Sequence, residues 1–495
     1  MFPTVTPEQA GVPSCKVEKF IRALERHGLV MHSLLLARGD ELFAEYYWSP
    51  FDRDFCHRMY SQTKSYVGIA IGLLEAEGKL SLDDRIADYF PEKLERALPP
   101  ELRAQTIRHM LTMETACRVP NWFYSADPDR THEYLNASVA VRPAGSLWEY
   151  DSAGSQVLCA LVEKLAGKPF FAYMNEKIFS HLGSFRTATV LKTPNGDSWG
   201  DSALVCTPRD MLSFGRLLAR GGMHAGKQLI PADYVKAATA RQVSNHEEGF
   251  SCYHSQGYGY QIWHTRGNGF AFFGMGGQYT IYRPDKDITL VCTGDNQGFA
   301  GAVPLLFALF EELIVDEAGA ALPEDPAALA SLTAYGASLR LAAADGAAAS
   351  RTAAEIDGLR FLCEENPCGM KWFSFRFDGA QGVFAYENAQ GEKALPFGLG
   401  YNLFGKFPQY GYSDGVGGCK TENGFLYDCA TSAGWVEERK LLLRAQVIDR
   451  YFGNLTVLAH FGADGSATLQ LKKHAEAFMD EYQGTVRAKT CELFL

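Results

Sequence analysis

Little in this chain of 495 residues suits it to nucleic acid, membrane or metal. Its 47 Lys and Arg are outnumbered by 58 Asp and Glu, leaving a net charge of -11. Without clustered cations a phosphate backbone finds no counter-charge, so no nucleic-acid partner is expected. No apolar run approaches the roughly 18–20 residues that cross a bilayer, so no membrane segment is expected. The opening residues, MFPTVTPEQAGVPS, lack the basic start, apolar core and small-residue cleavage site of a secretory signal. A cytoplasmic location is the expectation. The 12 cysteines are scattered from Cys15 to Cys491 with no CxxC pair, as in a reduced protein with buried thiols. Cys363 and Cys368 lie closest together, and no second pair completes a zinc site. The 12 histidines include no HExxH, since His132-Glu133 and His246-Glu247 lack the second histidine. Neither a metal nor a cofactor is expected.

What is present is ordinary globular material, 47% hydrophobic and 21% charged, in a length that suits two or three domains. A short helix over Cys15 to Arg26 precedes two apolar stretches, Ser33–Ala37 and Glu41–Tyr47. The turn residues Arg38-Gly39-Asp40 join these into a hairpin. From Ser61 to Glu77 the chain reads as a helix, with Val67, Ala70, Ile71 and Leu74 on one buried face and Gly78 closing it. Helices continue at Thr106–Met113, Gly154–Ala166 and Pro208–Arg220, the last capped by Thr207. After Gly257 come four strand-like runs, Tyr258–Trp263, Phe270–Phe273, Tyr279–Tyr282 and Ile288–Thr293, then a helix over Val303–Val315. Strands at both ends of a helical middle predict one antiparallel sheet flanked by helices, an α+β domain over residues 1–318. Residues 319–354 are Ala-rich and read as a connecting helix and linker. Beyond them Phe373, Phe375 and Phe377 alternate with polar residues. Short strands recur at Gly382–Tyr386, Lys440–Ile448, Thr456–Phe461 and Ala467–Leu471. This predicts a mostly β barrel or sandwich over 355–495, with a late amphipathic helix carrying Ala475, Phe478, Met479 and Tyr482.

Ser61-Gln62-Thr63-Lys64 is a Ser-x-x-Lys tetrad opening a hydrophobic helix. A spacing of three sets both side chains on one helical face, about 5–6 Å apart at Cβ. A serine hydroxyl is a poor nucleophile until a base stands beside it, and a lysine held in an apolar setting can give up its proton. The helix N-terminus contributes N–H groups that suit an oxyanion. The bland alternative is a serine cap and a solvated lysine.

Further along stands Pro143-x-Gly145-x-x-Trp148-x-Tyr150-Asp151-Ser152-x-Gly154, and then Gly274-Met275-Gly276-Gly277-Gln278 between two strand-like runs. In isolation Tyr150 reads as a core tyrosine and the glycines as a tight bend. Together and in this order they resemble the class C β-lactamase and penicillin-binding superfamily of serine hydrolases. The flanks agree, with Thr6-Pro7-Glu8-Gln9-Ala10-Gly11-Val12, His109-Met110-Leu111-Thr112-Met113 and Asp210-Met211-Leu212-Ser213-Phe214-Gly215-Arg216-Leu217-Leu218. The resemblance spans roughly residues 5–315. It implies Ser61 as nucleophile, forming an acyl-enzyme, with Lys64 and Tyr150 moving its proton. It implies Ser152, Met275, Gly276, Gly277 and Gln278 at the substrate, with the N–H groups of Ser61 and Gln278 as the oxyanion hole. The two proton carriers titrate as a coupled pair, so which one is the neutral base stays open.

Two positions depart from the superfamily. Ser152 stands where an asparagine helps hold a substrate amide. Met275 stands where a cationic or titratable residue would attract a substrate carboxylate. Both lean away from β-lactams toward an esterase, amidase or D-amino-acid peptidase acting on a small-molecule or peptide-like substrate. The alternative is a catalytically silent protein that binds a peptide or cell-wall fragment. The C-terminal part is similar to the lipocalin-like domain attached to some of these hydrolases. There Phe397-Gly398-Leu399-Gly400 and Phe407-Pro408-Gln409-Tyr410-Gly411-Tyr412 either line a pocket or fill a small barrel's core. Oligomeric state is not legible.

Overall fold

The computed structural model describes residues 2–120, 122, 126–246, 251–410, 426–475 and 479–490. It divides into two compact units, one ending at Arg340 and the other beginning at Leu341.

The first unit is built on a six-stranded antiparallel sheet. β1 (Met31–Arg38) and β2 (Glu41–Tyr47) come from the N-terminal side, joined after Arg38 by a turn in which Gly39 has a φ of 56°. β3 (Trp263–Thr265), β4 (Gly269–Gly274), β5 (Gln278–Arg283) and β6 (Ile288–Gly294) come from the far side of the helical middle. The order across the sheet is β3-β4-β5-β6-β1-β2. The strand expected at Tyr258–Trp263 begins only at Trp263, because Tyr258 makes isolated bridges to Val243 and Trp263 instead.

The strands read as apolar runs because both faces of the sheet are covered. Leu35, Phe270, Phe272 and Val291 enter one core with α2 (Thr63–Ala76), α3 (Ser152–Ala166) and α4 (Pro208–Ala219). Their neighbours Leu34, Leu36, Ala271, Phe273, Leu290 and Cys292 enter the other, with α1 (Ser14–Arg26) and α5 (Ala302–Phe310). α2 is buried all round from Thr63 to Leu74, not on one face alone, because helices and sheet both pack on it. α4 starts at a capping box in which Thr207 and Asp210 satisfy each other's backbone N–H, with Pro208 at the first helical position.

The Ala-rich segment 319–354 belongs to both units. α6 (Pro326–Ser338) lies in the first, where Tyr335 bonds Glu25 and takes the Arg22 guanidinium over its ring at 3.5 Å. Ala342, Ala344 and Ala347 lie in the second, bonded to Gln446, Ser432 and Trp435.

The second unit is a closed nine-stranded barrel with one extra strand. Antiparallel pairing runs from Gly391–Leu399 through Gln381–Asn388, Trp372–Asp378, Arg360–Cys363, Gly484–Thr490, Ser466–Ala475, Gly453–Phe461 and Lys440–Val447 to Leu426–Glu437. A parallel pairing of Gly398 with Ser432 and of Leu399 with Ala433 closes the ring. Its core is aromatic, with Phe375 stacked on Phe384 at 4.8 Å and edge-on to Phe461 at 5.7 Å. Phe397 packs edge-on to Phe375 there, and Phe407, on the extra strand Leu403–Tyr410, is buried against Tyr482. The expected late helix is not formed as read. Ala475 ends a strand, paired with Gly453, and Phe478 lies outside the described residues. A spacing of three and four is met by chance in so short a run, and ladder bonding decides it.

Candidate active site

Ser61 sits in a 3-10 turn, Tyr60–Gln62, and the α-helix proper begins at Thr63. The expected single helix from Ser61 fails at its first turn because Tyr60 is held at a φ of 47°, a left-handed conformation strained for a tyrosine. The surroundings enforce it. The short strand His57–Arg58 pairs with Leu204–Cys206, and Met59 N–H donates to Leu204 O at 2.7 Å. Leu204 N–H donates in turn to Thr63 Oγ1 at 3.1 Å. Gln62 Nε2 donates to Thr280 Oγ1 on β5 at 2.9 Å. Ser61 is therefore pinned between α2 and the sheet, half-buried, at the end of a helix whose first N–H groups lack helical partners.

Lys64 is 1% exposed. Its Nζ donates to Ser61 Oγ at 3.0 Å and to the backbone oxygen of Asp201 at 2.6 Å. The same nitrogen lies 5.1 Å from the centre of the Tyr150 ring. Tyr150 stacks on Trp263 with ring centres 5.8 Å apart, and Trp148 packs against both. Asp151 caps α3 by accepting from Gly154 N–H at 2.9 Å, which leaves Ser152 as the helix's first residue. Gln261 ties the two helices together: its backbone oxygen accepts from Ser65 Oγ at 2.7 Å and its Oε1 from Ser155 Oγ at 2.6 Å. The separation of Lys64 from Tyr150 is thus set by rigid elements.

Two buried carboxyls face this lysine. Burial pushes the Asp151 carboxyl up, against the Gly154 N–H, Thr115 and the Lys64 charge. Burial likewise pushes the Asp201 carboxyl up, against the charges of Lys64, Arg58 and Arg130 and a weak polar contact from Trp199.

Met275, Gly276 and Gly277 form the turn between β4 and β5, with glycine φ values of 82° and 119° that need glycine. Asn296 clamps the turn, its backbone N–H donating to Gly276 O at 2.7 Å. The turn comes close to Ser61 because Gly274 has no side chain: a Cβ there would stand 2.1 Å from Met59 O. Met275 is 39% exposed. Gln278 is fully buried, and its Nε2 is spent on Met275 O at 2.9 Å and Gly294 O at 2.8 Å. Its side chain holds the turn; only its backbone can serve a substrate.

Asp201 escaped the sequence reading because it meets Lys64 through a backbone oxygen, which carries no residue-type signal, and Gln261 because it joins Ser65 and Ser155 from far along the chain. Among the described residues no group of three His, Cys, Asp or Glu is placed to hold a metal ion. Among them also, no helix is long and apolar enough to cross a membrane.

A family model described as Beta-lactamase matches residues 17–300. The 6-aminohexanoate-dimer hydrolase of Paenarthrobacter ureafaciens is 26% identical over 280 residues, 52% of this chain and 71% of that protein. Esterase EstB of Burkholderia gladioli is 27% identical over 181 residues, 33% of this chain and 45% of that protein. Among solved structures, a Bacillus anthracis protein provisionally named a 6-aminohexanoate-dimer hydrolase superposes with a TM-score of 0.53 at 19% identity. That match covers 64% of this chain and 87% of the other. A Bacteroides dorei protein provisionally named a beta-lactamase gives 0.51 at 18% identity over 60% and 98%. These two likenesses speak for the fold.

Proposed function

The chain belongs to the Beta-lactamase family and is a serine hydrolase; on that footing we propose that it cleaves uncharged esters or amides through an acyl-enzyme on Ser61. The observation that carries this is Lys64 Nζ, buried and bonded at once to Ser61 Oγ and to Asp201 O. Ser61 Oγ adds to the substrate carbonyl while its proton passes into the Lys64–Tyr150 pair. The tetrahedral oxyanion is received by the N–H groups of Ser61 and Gln278. The leaving alcohol or amine takes the proton as the C–O or C–N bond breaks. Water then adds to the acyl-enzyme by the same route and releases the acid.

Two features favour a neutral substrate. Met275 puts a thioether where a cation would attract a carboxylate, and Ser152 offers a hydroxyl at the head of α3. The wall of Tyr150, Trp148 and Trp263 suits an apolar acyl or leaving group. One relative is named for an aminohexanoate dimer and another as an esterase, which supports linear esters and amides over β-lactams.

A panel of short p-nitrophenyl esters, a linear aminohexanoate amide, D-alanyl peptides and nitrocefin tests this. Turnover should be greatest on the ester or the linear amide and should vanish in Ser61→Ala. Nitrocefin as the best substrate, or turnover surviving in Ser61→Ala, would sink it. Tight binding with no product from any of them would return the silent-binder alternative.

A further inference from the structure

An ammonium as buried as that of Lys64 is costly unless a negative charge is near. Among the described residues Lys64 makes no ion pair. Its shortest hydrogen bond, at 2.6 Å, goes to the carbonyl of Asp201, and the carboxyl of that same residue is itself fully buried. Neither carboxyl oxygen of Asp201 has a hydrogen-bond partner of good geometry. Three cations face it from three elements: Lys64 on α2, Arg58 on the strand His57–Arg58 and Arg130 on the helix Arg130–Ala137. Two of them are engaged elsewhere. Arg58 donates to Ser202 O at 2.9 Å and Ser202 Oγ at 2.8 Å, and Arg130 pairs with Glu133 at 3.2 Å. On its other side Lys64 faces Tyr150 and Asp151. A carboxyl left unbonded in a core is a poor way to stabilise a fold. Its placement makes sense as a charge acting on the lysine that its own carbonyl holds.

Resting on the reading of Ser61 as nucleophile, we propose that Asp201 is a positioning residue of the reaction. Its carbonyl fixes the Lys64 ammonium against Ser61, and its buried carboxylate sets the charge of the Lys64–Tyr150 pair. The consequence does not depend on which member of the pair accepts the serine's proton. Removing one negative charge eases proton loss from both, so both limbs of the pH–rate profile move the same way.

The test is kcat/KM for a p-nitrophenyl ester across acid to alkaline pH, in wild type, Asp201→Asn and Arg58→Gln. Each protein is also labelled at Ser61 with a fluorophosphonate. Asp201→Asn should displace the whole profile to lower pH by about one to two units. Arg58→Gln, which removes a cation from beside the same carboxylate, should displace it to higher pH. A folded Asp201→Asn that is slower with an unmoved profile overturns the proposal, since a merely structural or a protonated Asp201 behaves so. If neither variant folds, the carboxylate serves the fold and the proposal fails. A wild type that takes no label at Ser61 defeats the nucleophile reading instead.

Discussion

The two units obey different rules. In the barrel, residues alternate in and out along strands such as Gln381–Asn388, and Phe375 stacks on Phe384 and meets Phe397 edge-on. The helical unit buries Arg58, Gln62, Lys64, Asp201 and Gln278 almost completely, and it holds Tyr60 at a left-handed φ beside Ser61. Buried charge and backbone strain cost stability and persist where surrounding structure over-determines them. On the proposed reading the chemistry belongs to the first unit, where these buried charges surround Ser61.

The sharpest break between the units is expected from Ser61→Ala, which should lower turnover by about 10^4-fold or more while leaving the melting temperature unchanged. In the barrel, Phe375→Ala should do the reverse. It should cost about 3–5 kcal/mol of stability in denaturant titrations and leave kcat/KM unaltered well below the transition. Gly274→Ala joins the two kinds of effect at one position. Its methyl meets Met59 O, so the Ser61 turn must move, and a shift near 1 Å should lower kcat by about 10^2-fold with folding retained.

Acid should separate the units more gently. His32 Nδ1 and His57 Nε2 lie 3.2 Å apart in the first unit, both buried against Phe51. Burial holds His32 well below its ordinary value, and it holds His57 down at about 3. The unfolded chain takes up these protons near 6.5. Stability from the pair is therefore complete above about pH 6.5 and falls as pH drops toward 3, by about 1.4 kcal/mol per pH unit for each histidine. Of the barrel's described histidines, His460 is exposed and His474 half-buried. Fluorescence melting at descending pH should show the helical unit unfolding first; loss of the barrel first would contradict this.

The comparison also explains what could be read in advance. Ser61, Lys64 and Tyr150 are legible because catalysis by side chains demands residue types at fixed spacing, and the structure brings the three together. The two ends of the sheet are legible from apolar runs, and the barrel from its period of two. Less could be read where the backbone acts. Asp201 reaches Lys64 through a carbonyl that any residue would offer, and the turn at Tyr60 is imposed by Leu204 and Thr280 from far along the chain. The helical spacing read from Ala475 to Tyr482 starts on the last residue of a strand, where pairing with Gly453 holds Ala475 extended.

The central claim is that Ser61, activated beside Lys64, carries the acyl group. Mass spectrometry of the intact, folded chain after a fluorophosphonate or a slow ester measures this directly. A single adduct is predicted, mapped to the peptide containing Ser61 and absent from Ser61→Ala. An adduct on another residue, or none on folded protein that still turns over substrate, would contradict the account.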